Sequence, residues 1–238
     1  MNTLSQIFLQ ASQRARGRRA ATFCNYFGWI GRSTRILDLG SEDGSNIHNV
    51  LAGLDVTPAN VHIADIDAAS VQRGHDRYGY TPIVLSEADS LPFEDRSFDV
   101  LYCSSVIEHV TVPKSQVWAM RSGREFRQRA LPRQRAFANE IRRVGKSYFV
   151  QTPNVHFPIE SHTWLPFVGW LPRSLQVATL RVTNRIWIKR TAPDWNLLGP
   201  KGMHELFPDA EIVNESVLGL VKSLMAIRLE HRIAPKTT

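Results

Sequence analysis

Acidic side chains and glycines alternate in one short segment of the sequence. Asp38 and Gly40 lie at the end of a run of apolar residues, and Gly44 follows four residues after Gly40. Glu42 and Asp43 lie between the two glycines. Glycine lets a ligand approach the backbone closely, whereas a group of carboxylates repels phosphate. The segment therefore suits a ligand that carries an amino group and ribose hydroxyls. The dinucleotide pattern G-x-G-x-x-G is absent, which argues against NAD or FAD.

A simpler interpretation of the same segment is a tight turn between a strand and a helix. Two later acids favour ligand binding. Asp65 ends a second apolar run, about twenty-five residues beyond Gly40, where a carboxylate can accept hydrogen bonds from both hydroxyls of a ribose. Glu87 follows a third apolar run, and a fourth begins around Asp99.

A Glu-His pair after the fourth apolar run is the clearest candidate for acid-base chemistry. His109 is a candidate general base, because an imidazole changes protonation near neutral pH. The alternative is that Glu108 and His109 only fix the conformation of their loop. A second group, His156, Glu160 and His162, follows the fifth apolar run. Prolines interrupt that stretch and no fourth ligand accompanies it, so we predict substrate positioning or hydrogen bonding and no metal site.

Short apolar runs alternate with helical patterns along most of the chain. This rhythm is typical of repeated βαβ units and predicts a parallel sheet between helices. The predicted strands span residues 34–40, 60–65, 81–87, 97–103 and 146–152, with two closing strands at 211–215 and 224–229 joined through Gly219. The predicted helices span residues 2–13, 45–54 and 67–78; an apolar segment covers 23–30, and a further helix begins at Pro132.

Residues 155–200 break this rhythm. They hold four of the six tryptophans and five of the thirteen prolines, which is more typical of an inserted cap than of further sheet. The predicted organisation is an N-terminal helical segment over residues 1–33 and one large domain over 34–238. Within that domain, 113–145 is a basic helical segment, and 155–200 is a helical and aromatic cap inserted after the fifth strand.

The ordered motifs of residues 34–152 resemble those of the class I S-adenosylmethionine-dependent methyltransferases, in particular the type 11 group with the signatures DLG…G and LPF…FD. The resemblance implies an α/β fold with a Rossmann-like, seven-stranded, mostly parallel sheet flanked by helices. It implies S-adenosylmethionine as cofactor and S-adenosylhomocysteine as product. The implied cofactor contacts are Asp38, Gly40 and Gly44 at the methionine half, Asp65 and Ile66 at the ribose, Glu87 and Ala88 at the adenine, and Cys103 where the strand faces the methyl acceptor.

Two positions depart from the family pattern. Glu42 replaces a further glycine, so the loop must follow a different path or present Glu42 to the ligand. Ser105 stands where the similar ubiquinone-type O-methyltransferases have a metal-binding acid, so again no metal is predicted. The run after the fifth strand resembles a bacterial subgroup with the pattern TPN…FP-E-H…P. Together with the Glu-His pair, it predicts substrate-binding positions at Glu108, Asn154, His156, Glu160 and Trp164.

These features predict methyl transfer to a small molecule, with oxygen as the expected acceptor atom and an acceptor of hydrophobic or ring character under the cap. His109 is the first candidate base and His162 the second. Two alternatives stay open. One is an RNA or protein methyltransferase that holds its substrate with the arginine-rich segment, and the other is a non-catalytic binding protein that keeps the cofactor fold.

Composition and charge indicate which binding partners and which cellular compartment to expect. The 238 residues carry a net charge of +7, and residues 114–146 alone contain ten basic and two acidic residues, a net +8. Such a run is most often a solvated helix face; an anionic membrane surface is the next candidate partner, and nucleic acid is the least favoured. A smaller cluster comprises Arg14, Arg16, Arg18 and Arg19. Two cysteines, no secretory signal and no membrane-spanning run together favour a cytoplasmic protein.

Overall fold

The computed structural model describes residues 3–86 and 90–230, which build a seven-stranded sheet. The strands are β1 (Ile36–Leu39), β2 (Val61–Asp65), β3 (Thr81–Val84), β4 (Phe98–Ser104), β5 (Gly145–Pro153), β6 (Glu211–Val217) and β7 (Leu220–Arg228). Their order across the sheet is β3-β2-β1-β4-β5-β7-β6. Neighbouring strands are parallel from β3 to β5, whereas β7 runs antiparallel to both β5 and β6. The predicted Rossmann-like, mostly parallel sheet is therefore confirmed.

Helices cover both faces of this sheet. They are α1 (Thr3–Phe27), α2 (Ser45–Val50), α3 (Ala68–Tyr78), α4 (Gly123–Val144), α5 (Arg173–Ile186) and α6 (Pro200–Leu206). Phe27, Ile47 and Val71 bring α1, α2 and α3 against one face, while Ile141 and Met203 bring α4 and α6 against the other. The central strands are buried on both faces, which explains why each reads as a continuous apolar run.

Local signals account for several element ends. Asp67 caps α3 as its position in the sequence predicts, because its side chain accepts a hydrogen bond from the Ala69 amide. α2 ends at Val50, earlier than predicted, and the chain then turns through Gly53, whose φ is +91°. β6 and β7 are both longer than predicted. Leu218 and Gly219 connect them with φ of +51° and +79°, a left-handed pair that matches the twist of a tight hairpin.

The N-terminal region forms one long helix and not a short helix followed by a separate apolar segment. Its first predicted apolar residues (Leu4, Ile7, Phe8, Ala11) lie within this helix, but their side chains are not among those described. Phe23 stacks on Phe27 at 4.6 Å between ring centroids, and it meets Tyr102 and Phe149 edge-on at 5.6 Å each. These aromatic contacts extend the helical pattern to Phe27 and join α1 to the sheet. The boundary proposed at residue 33 thus lies between segments that share one core.

The prediction that a helix begins at Pro132 is wrong, because α4 begins at Gly123 and continues through that proline. Ser122 accepts a hydrogen bond from the Glu125 amide, and the pattern Ser-x-x-Glu is the sequence signature of a capping box. Pro132 lies on the exposed side of the helix. Water can there satisfy the carbonyl that loses its partner, so the proline is tolerated inside the helix.

The cap is anchored to the rest of the molecule by Arg173 at the start of α5. Its buried guanidinium lies 3.8 Å from the centre of the Phe126 ring and donates to the carbonyls of Val117, Met120 and Pro193. Burial lowers the pKa of Arg173 to about 10, and the charge of Asp194 opposes this shift.

Among the described helices, none is long and apolar enough to span a membrane.

Candidate active site

A cavity of about 730 Å³ opens at the edge of the sheet where the parallel strands end. The loop after β1, the ends of β4 and β5, the cap, α1 and β7 form its walls. This is the edge at which parallel α/β sheets bind ligands. Five of the predicted site residues line the cavity: Asp38, Gly40, His109, His162 and Trp164.

The loop after β1 reaches the cavity through backbone conformations that favour glycine. Gly40 has φ +75°, and a Cβ atom there would lie 2.4 Å from Cγ2 of Val106. Gly44 has φ +70° and packs against Ile63 without reaching the cavity wall. Glu42 also adopts the left-handed region, with φ +51°, and it lines the cavity. Thus Glu42 keeps the conformation that a glycine would favour and also presents its side chain to the site.

Asp38 supplies a buried carboxylate at the wall of the cavity. Its Oδ2 atom has no hydrogen-bond partner in the described residues. Burial raises the pKa of Asp38 well above its usual value, and the charge of Asp65 adds to the rise. A cationic group in the cavity would satisfy this oxygen and restore the ionised form. The position therefore suits a ligand with an amino group.

The other predicted cofactor residues are distributed unevenly. Asp65 lies behind the loop, where its Oδ2 accepts from the Glu42 amide at 2.9 Å and its Oδ1 from the Asp67 amide at 3.1 Å. Ile66 is exposed, whereas Cys103 is fully buried in the core and does not line the cavity. Burial raises the pKa of the Cys103 thiol well above its usual value. Glu87 and Ala88 lie outside the described residues.

His109 forms a dyad with a residue that the sequence analysis missed. Its Nδ1 atom lies 3.1 Å from Oδ1 of Asp194, which comes from the far end of the cap. Burial raises the pKa of Asp194, but the hydrogen bond and charge of His109 outweigh it, so the net pKa is lowered. Nε2 of His109 makes no hydrogen bond to a described residue, and the side chain lines the cavity. No spacing in the sequence indicated that these two residues would meet.

His162 is held between two buried carboxylates. Its Nδ1 lies 2.5 Å from Oε1 of Glu160, and its Nε2 lies 3.6 Å from Oε1 of Glu108. Burial would lower the pKa of His162, but the two carboxylates raise it to about 9. The ring stacks on Trp195 and meets the His109 ring edge-on at 4.6 Å between centroids. His162 is therefore an imidazolium at neutral pH.

Candidate metal-ligating atoms of Glu108, His109 and His162 lie within 4.8 Å of one another. A metal ion would have to displace the proton that the two carboxylates stabilise on His162. Thr152 Oγ1 also donates to Oε2 of Glu108 at 3.0 Å, and the Thr163 amide donates to Glu160. These contacts describe an ion-pair and hydrogen-bond network that fixes the cap to β5.

Two predicted substrate positions serve the architecture of the cap. Asn154 donates to the Val221 carbonyl and accepts from the His156 amide, so it ties the start of the cap to β7. His156 packs beside Gly199, away from the cavity wall. Glu108 and Glu160 are likewise buried behind the wall. Of the predicted substrate positions, only Trp164 lines the cavity, with the Lys189 ammonium 4.8 Å from its ring centre.

Basic side chains line the part of the cavity that is formed by α1, the cap and β7. They are Arg14, Arg16, Arg18, Arg19, Lys189 and Lys222. The four arginines were visible as a cluster in the sequence, but nothing there placed them at the strand ends. Their position follows from the length of α1, because its aromatic C-terminal part is fixed in the core and its preceding turns extend along the cavity.

Residues 37–122 match the family model described as "Methyltransferase domain". No curated protein matches the chain in sequence. Among solved structures, magnesium protoporphyrin IX methyltransferase from Synechocystis PCC 6803 is similar with a TM-score of 0.52 at 13% identity, over 96% of this chain and 88% of that one. A chain in the complex of the Haloferax volcanii Trm112 methyltransferase activator with a methyltransferase gives 0.56 at 12% identity, over 91% and 90%. At these identities the likeness shows the fold.

The domain match covers about a third of the chain, and together with the sheet order it supports a class I S-adenosylmethionine-dependent methyltransferase. These findings support an enzyme that uses S-adenosylmethionine as its cofactor.

We predict that Gly40→Ala weakens the binding of S-adenosylmethionine at least about tenfold, because a methyl group would clash with Val106 and push the loop out of position. Isothermal titration calorimetry measures the affinity. The matched control is Gly53→Ala, where φ is +91° but nothing lies within 4 Å of a new Cβ. That variant should lose about 1 kcal/mol of stability and keep its affinity. Equal affinities of the two variants would contradict the role of the close approach.

Proposed function

We propose that the enzyme methylates an oxygen atom of a small molecule, with His109 as the general base. The observation that carries this proposal is the dyad of His109 and Asp194 at the cavity wall. Asp194 fixes the tautomer with the proton on Nδ1, which leaves Nε2 as the basic atom. A hydroxyl acceptor benefits from such a base, whereas a nitrogen acceptor needs only an aligned lone pair.

The described residues fit the cofactor. Asp38 would receive its amino group on the unpartnered Oδ2 atom, and Gly40 would let its methionine half approach the backbone. Asp65 has an accepting lone pair left on each carboxylate oxygen and lies at the end of β2, where it would bind the ribose hydroxyls. Glu42 lines the same part of the cavity and would add a further acceptor.

When bound, S-adenosylmethionine supplies a methyl group that is already activated by the sulfonium. The protein has to align the acceptor with that methyl group, exclude water and remove one proton. Nε2 of His109 takes the hydroxyl proton, and Asp194 stabilises the resulting imidazolium. The aromatic and apolar residues Phe157, Ile159 and Trp164 line the cavity and would contact the acceptor's ring or apolar body.

The surroundings of His162 favour a positioning role over its predicted role as the second candidate base. A base must hold a free lone pair, but Nδ1 of His162 is hydrogen-bonded to Glu160, its Nε2 lies 3.6 Å from the Glu108 carboxylate, and the two carboxylates raise its pKa to about 9. We therefore propose that His162 positions the ring of His109 through their edge-on contact and offsets part of the negative charge of the two buried glutamates.

The basic segment is mostly used within the protein, which favours a small-molecule acceptor over RNA or protein. Arg143 binds Glu140, Asp95 and two carbonyls of the loop before β4. Arg142 pairs with Asp209 and Lys146 with Asp99. No residue of α4 lines the large cavity. An RNA substrate would also make binding fall steeply with salt, which a small acceptor would not.

We retain the cytoplasm as the proposed compartment, since Cys24 and Cys103 are both free thiols. A non-catalytic binding protein is disfavoured by the dyad, because Nε2 of His109 is left without a partner among the described residues at the cavity wall.

We predict that Asp65→Ala weakens S-adenosylmethionine binding about tenfold or more, because both ribose hydroxyls lose their acceptor. Asp65→Asn should lose less, since an amide oxygen still accepts one hydrogen bond. Calorimetry gives the affinities, and circular dichroism checks the fold. Asp76→Ala, on the exposed face of α3, is the matched control and should bind normally. An unchanged affinity of Asp65→Ala would remove the ribose assignment.

We predict that His109→Ala lowers kcat at least about 100-fold while it leaves cofactor affinity unchanged, because only proton removal is lost. Asp194→Asn should lower kcat less, since the imidazolium that forms during proton removal loses its carboxylate. Transfer of a labelled methyl group to a panel of hydroxylated ring compounds measures kcat. His204→Ala, exposed on α6, is the control. Full turnover by His109→Ala would refute a histidine base.

A further inference from the structure

The basic side chains of the cavity are not matched by acids at the same place. Arg18 and Arg19 share Glu215, at 3.5 Å and 3.3 Å, and Glu215 is buried. The side chains of Arg16 and Lys222 make no hydrogen bond or ion pair within 4 Å with a described residue. The acids that line the cavity, Asp38 and Glu42, belong to the loop after β1, at the cofactor end.

Two lysines of this group are half-buried, where a charge without a counter-ion is costly. Lys189 donates to the Ser161 carbonyl at 2.7 Å, but no carboxylate contacts it. Burial lowers the pKa of Lys189, and Arg16 and Lys222 lower it further, against the charge of Glu160. Burial also lowers the pKa of Lys222, and the three arginines at 16, 18 and 19 add to this while Glu215 opposes it. These cations therefore repel one another while the cavity holds no anion.

From this arrangement we propose that the methyl acceptor carries an anionic group, a phosphate or a carboxylate, which is bound by Arg16, Lys189 and Lys222. The inference rests on the proposed function, because it assigns the acceptor to the part of the cavity opposite the acidic cofactor loop. A phosphate fits better than a carboxylate, since three uncompensated cations suit a doubly charged group. The apolar body of the acceptor would then lie along Trp164 and Phe157.

Three ring compounds that differ in one substituent test the charge requirement: phenol, benzoate and phenyl phosphate. Calorimetry on the enzyme saturated with S-adenosylhomocysteine measures their affinities. We expect phenyl phosphate to bind most tightly, benzoate less and phenol least. Lys222→Met should weaken both anions about tenfold and leave phenol unchanged. Lys114→Met, an exposed lysine at the start of the basic segment and outside the cavity wall, is the matched control and should change nothing.

Thermal unfolding supplies a second readout. Phenyl phosphate should raise the Tm of the wild-type protein, and Lys222→Met should abolish this rise without lowering the Tm of the free protein. Equal binding of phenol and the anions, no binding of either anion at millimolar concentration, or unchanged anion affinity in Lys222→Met would overturn the proposal. Binding of S-adenosylhomocysteine is measured on each variant. Its loss would count against the cofactor site, whereas its retention confines a failure to the anion site.

The outer face of the cap carries a second, independent observation. α5 buries Arg173, Val177 and Leu180 and exposes Leu175, Val182 and Ile186 on the opposite side. These exposed side chains are 52%, 59% and 80% accessible, and they form one stripe along the helix. Phe167, Trp170 and Ile188 are also exposed on the cap. A surface helix of a globular protein normally places polar residues on this side.

The charge around this stripe indicates what covers it. No acidic residue lies between Glu160 and Asp194, whereas Arg181, Arg185 and Arg190 are all exposed there. Arg181 and Arg185 follow the edge of the apolar stripe at helical spacing. A second copy of the chain would bring like charges together across a two-fold axis, which is unfavourable. An exposed apolar stripe beside arginines is typical of helices that lie on an anionic bilayer.

We infer that the cap docks on a membrane that contains anionic lipid, with the α5 stripe in the interface. Co-sedimentation with phosphatidylcholine vesicles, with and without phosphatidylglycerol, tests this, and we expect binding only to the anionic vesicles. The double variant Val182→Ser/Ile186→Ser should bind about tenfold more weakly. Leu131→Ser, exposed on α4, is the control. The inference is overturned if the wild-type protein ignores anionic vesicles, or if the double variant instead dissociates a dimer in sedimentation velocity.

Discussion

The buried ion triad of Glu108, His162 and Glu160 is the contact on which the site depends. It joins the loop after β4 to the cap, and Thr152 adds the end of β5. Removing one member of such a network leaves a buried charge without compensation, which typically costs about 3–5 kcal/mol. The triad therefore fixes the cap and, through the contact of the two imidazole rings, the place of His109. His162, which the sequence suggests as a candidate base, is here the positively charged member of the ion triad that holds the cap.

The parallel half of the fold was predictable because its signals are local. Each buried strand is a continuous apolar run, and Asp67 is a recognisable N-cap at the start of α3. The predicted start of α4 at Pro132 is wrong because proline is favoured in the first turn of a helix but is also tolerated here inside it. The actual start is marked by the capping residues Ser122 and Glu125. α1 was divided in two, since the aromatic contacts that hold its last turns come from distant strands. Such contacts carry no trace in the spacing of the helix itself.

The residues of the site also include some that were predictable from the sequence and some that were not. Asp38, Gly40 and His109 follow predictable strand ends, so their approach to one cavity could be expected. Asp194 could not be expected, because it reaches His109 across 85 residues of chain that include α4, β5 and most of the cap. The structure also changes which of the two basic clusters contributes to the site. The large basic run lies along α4 and is held mostly by internal contacts, while the small arginine cluster of α1, with Lys189 and Lys222, lines the cavity.

The antiparallel hairpin of β6 and β7 has a consequence for how such enzymes diversify. Its strands supply Glu215 and Lys222 to the acceptor side, and the Lys222 carbonyl receives the Asn154 amide where the cap begins. The cofactor loops, by contrast, follow the parallel strands β1 and β2. Under the proposed assignment of the two ends of the cavity, changes in the hairpin and the cap would alter the accepted substrate and leave the cofactor loops unchanged. Selection for a new acceptor has a separate part of the chain on which to act.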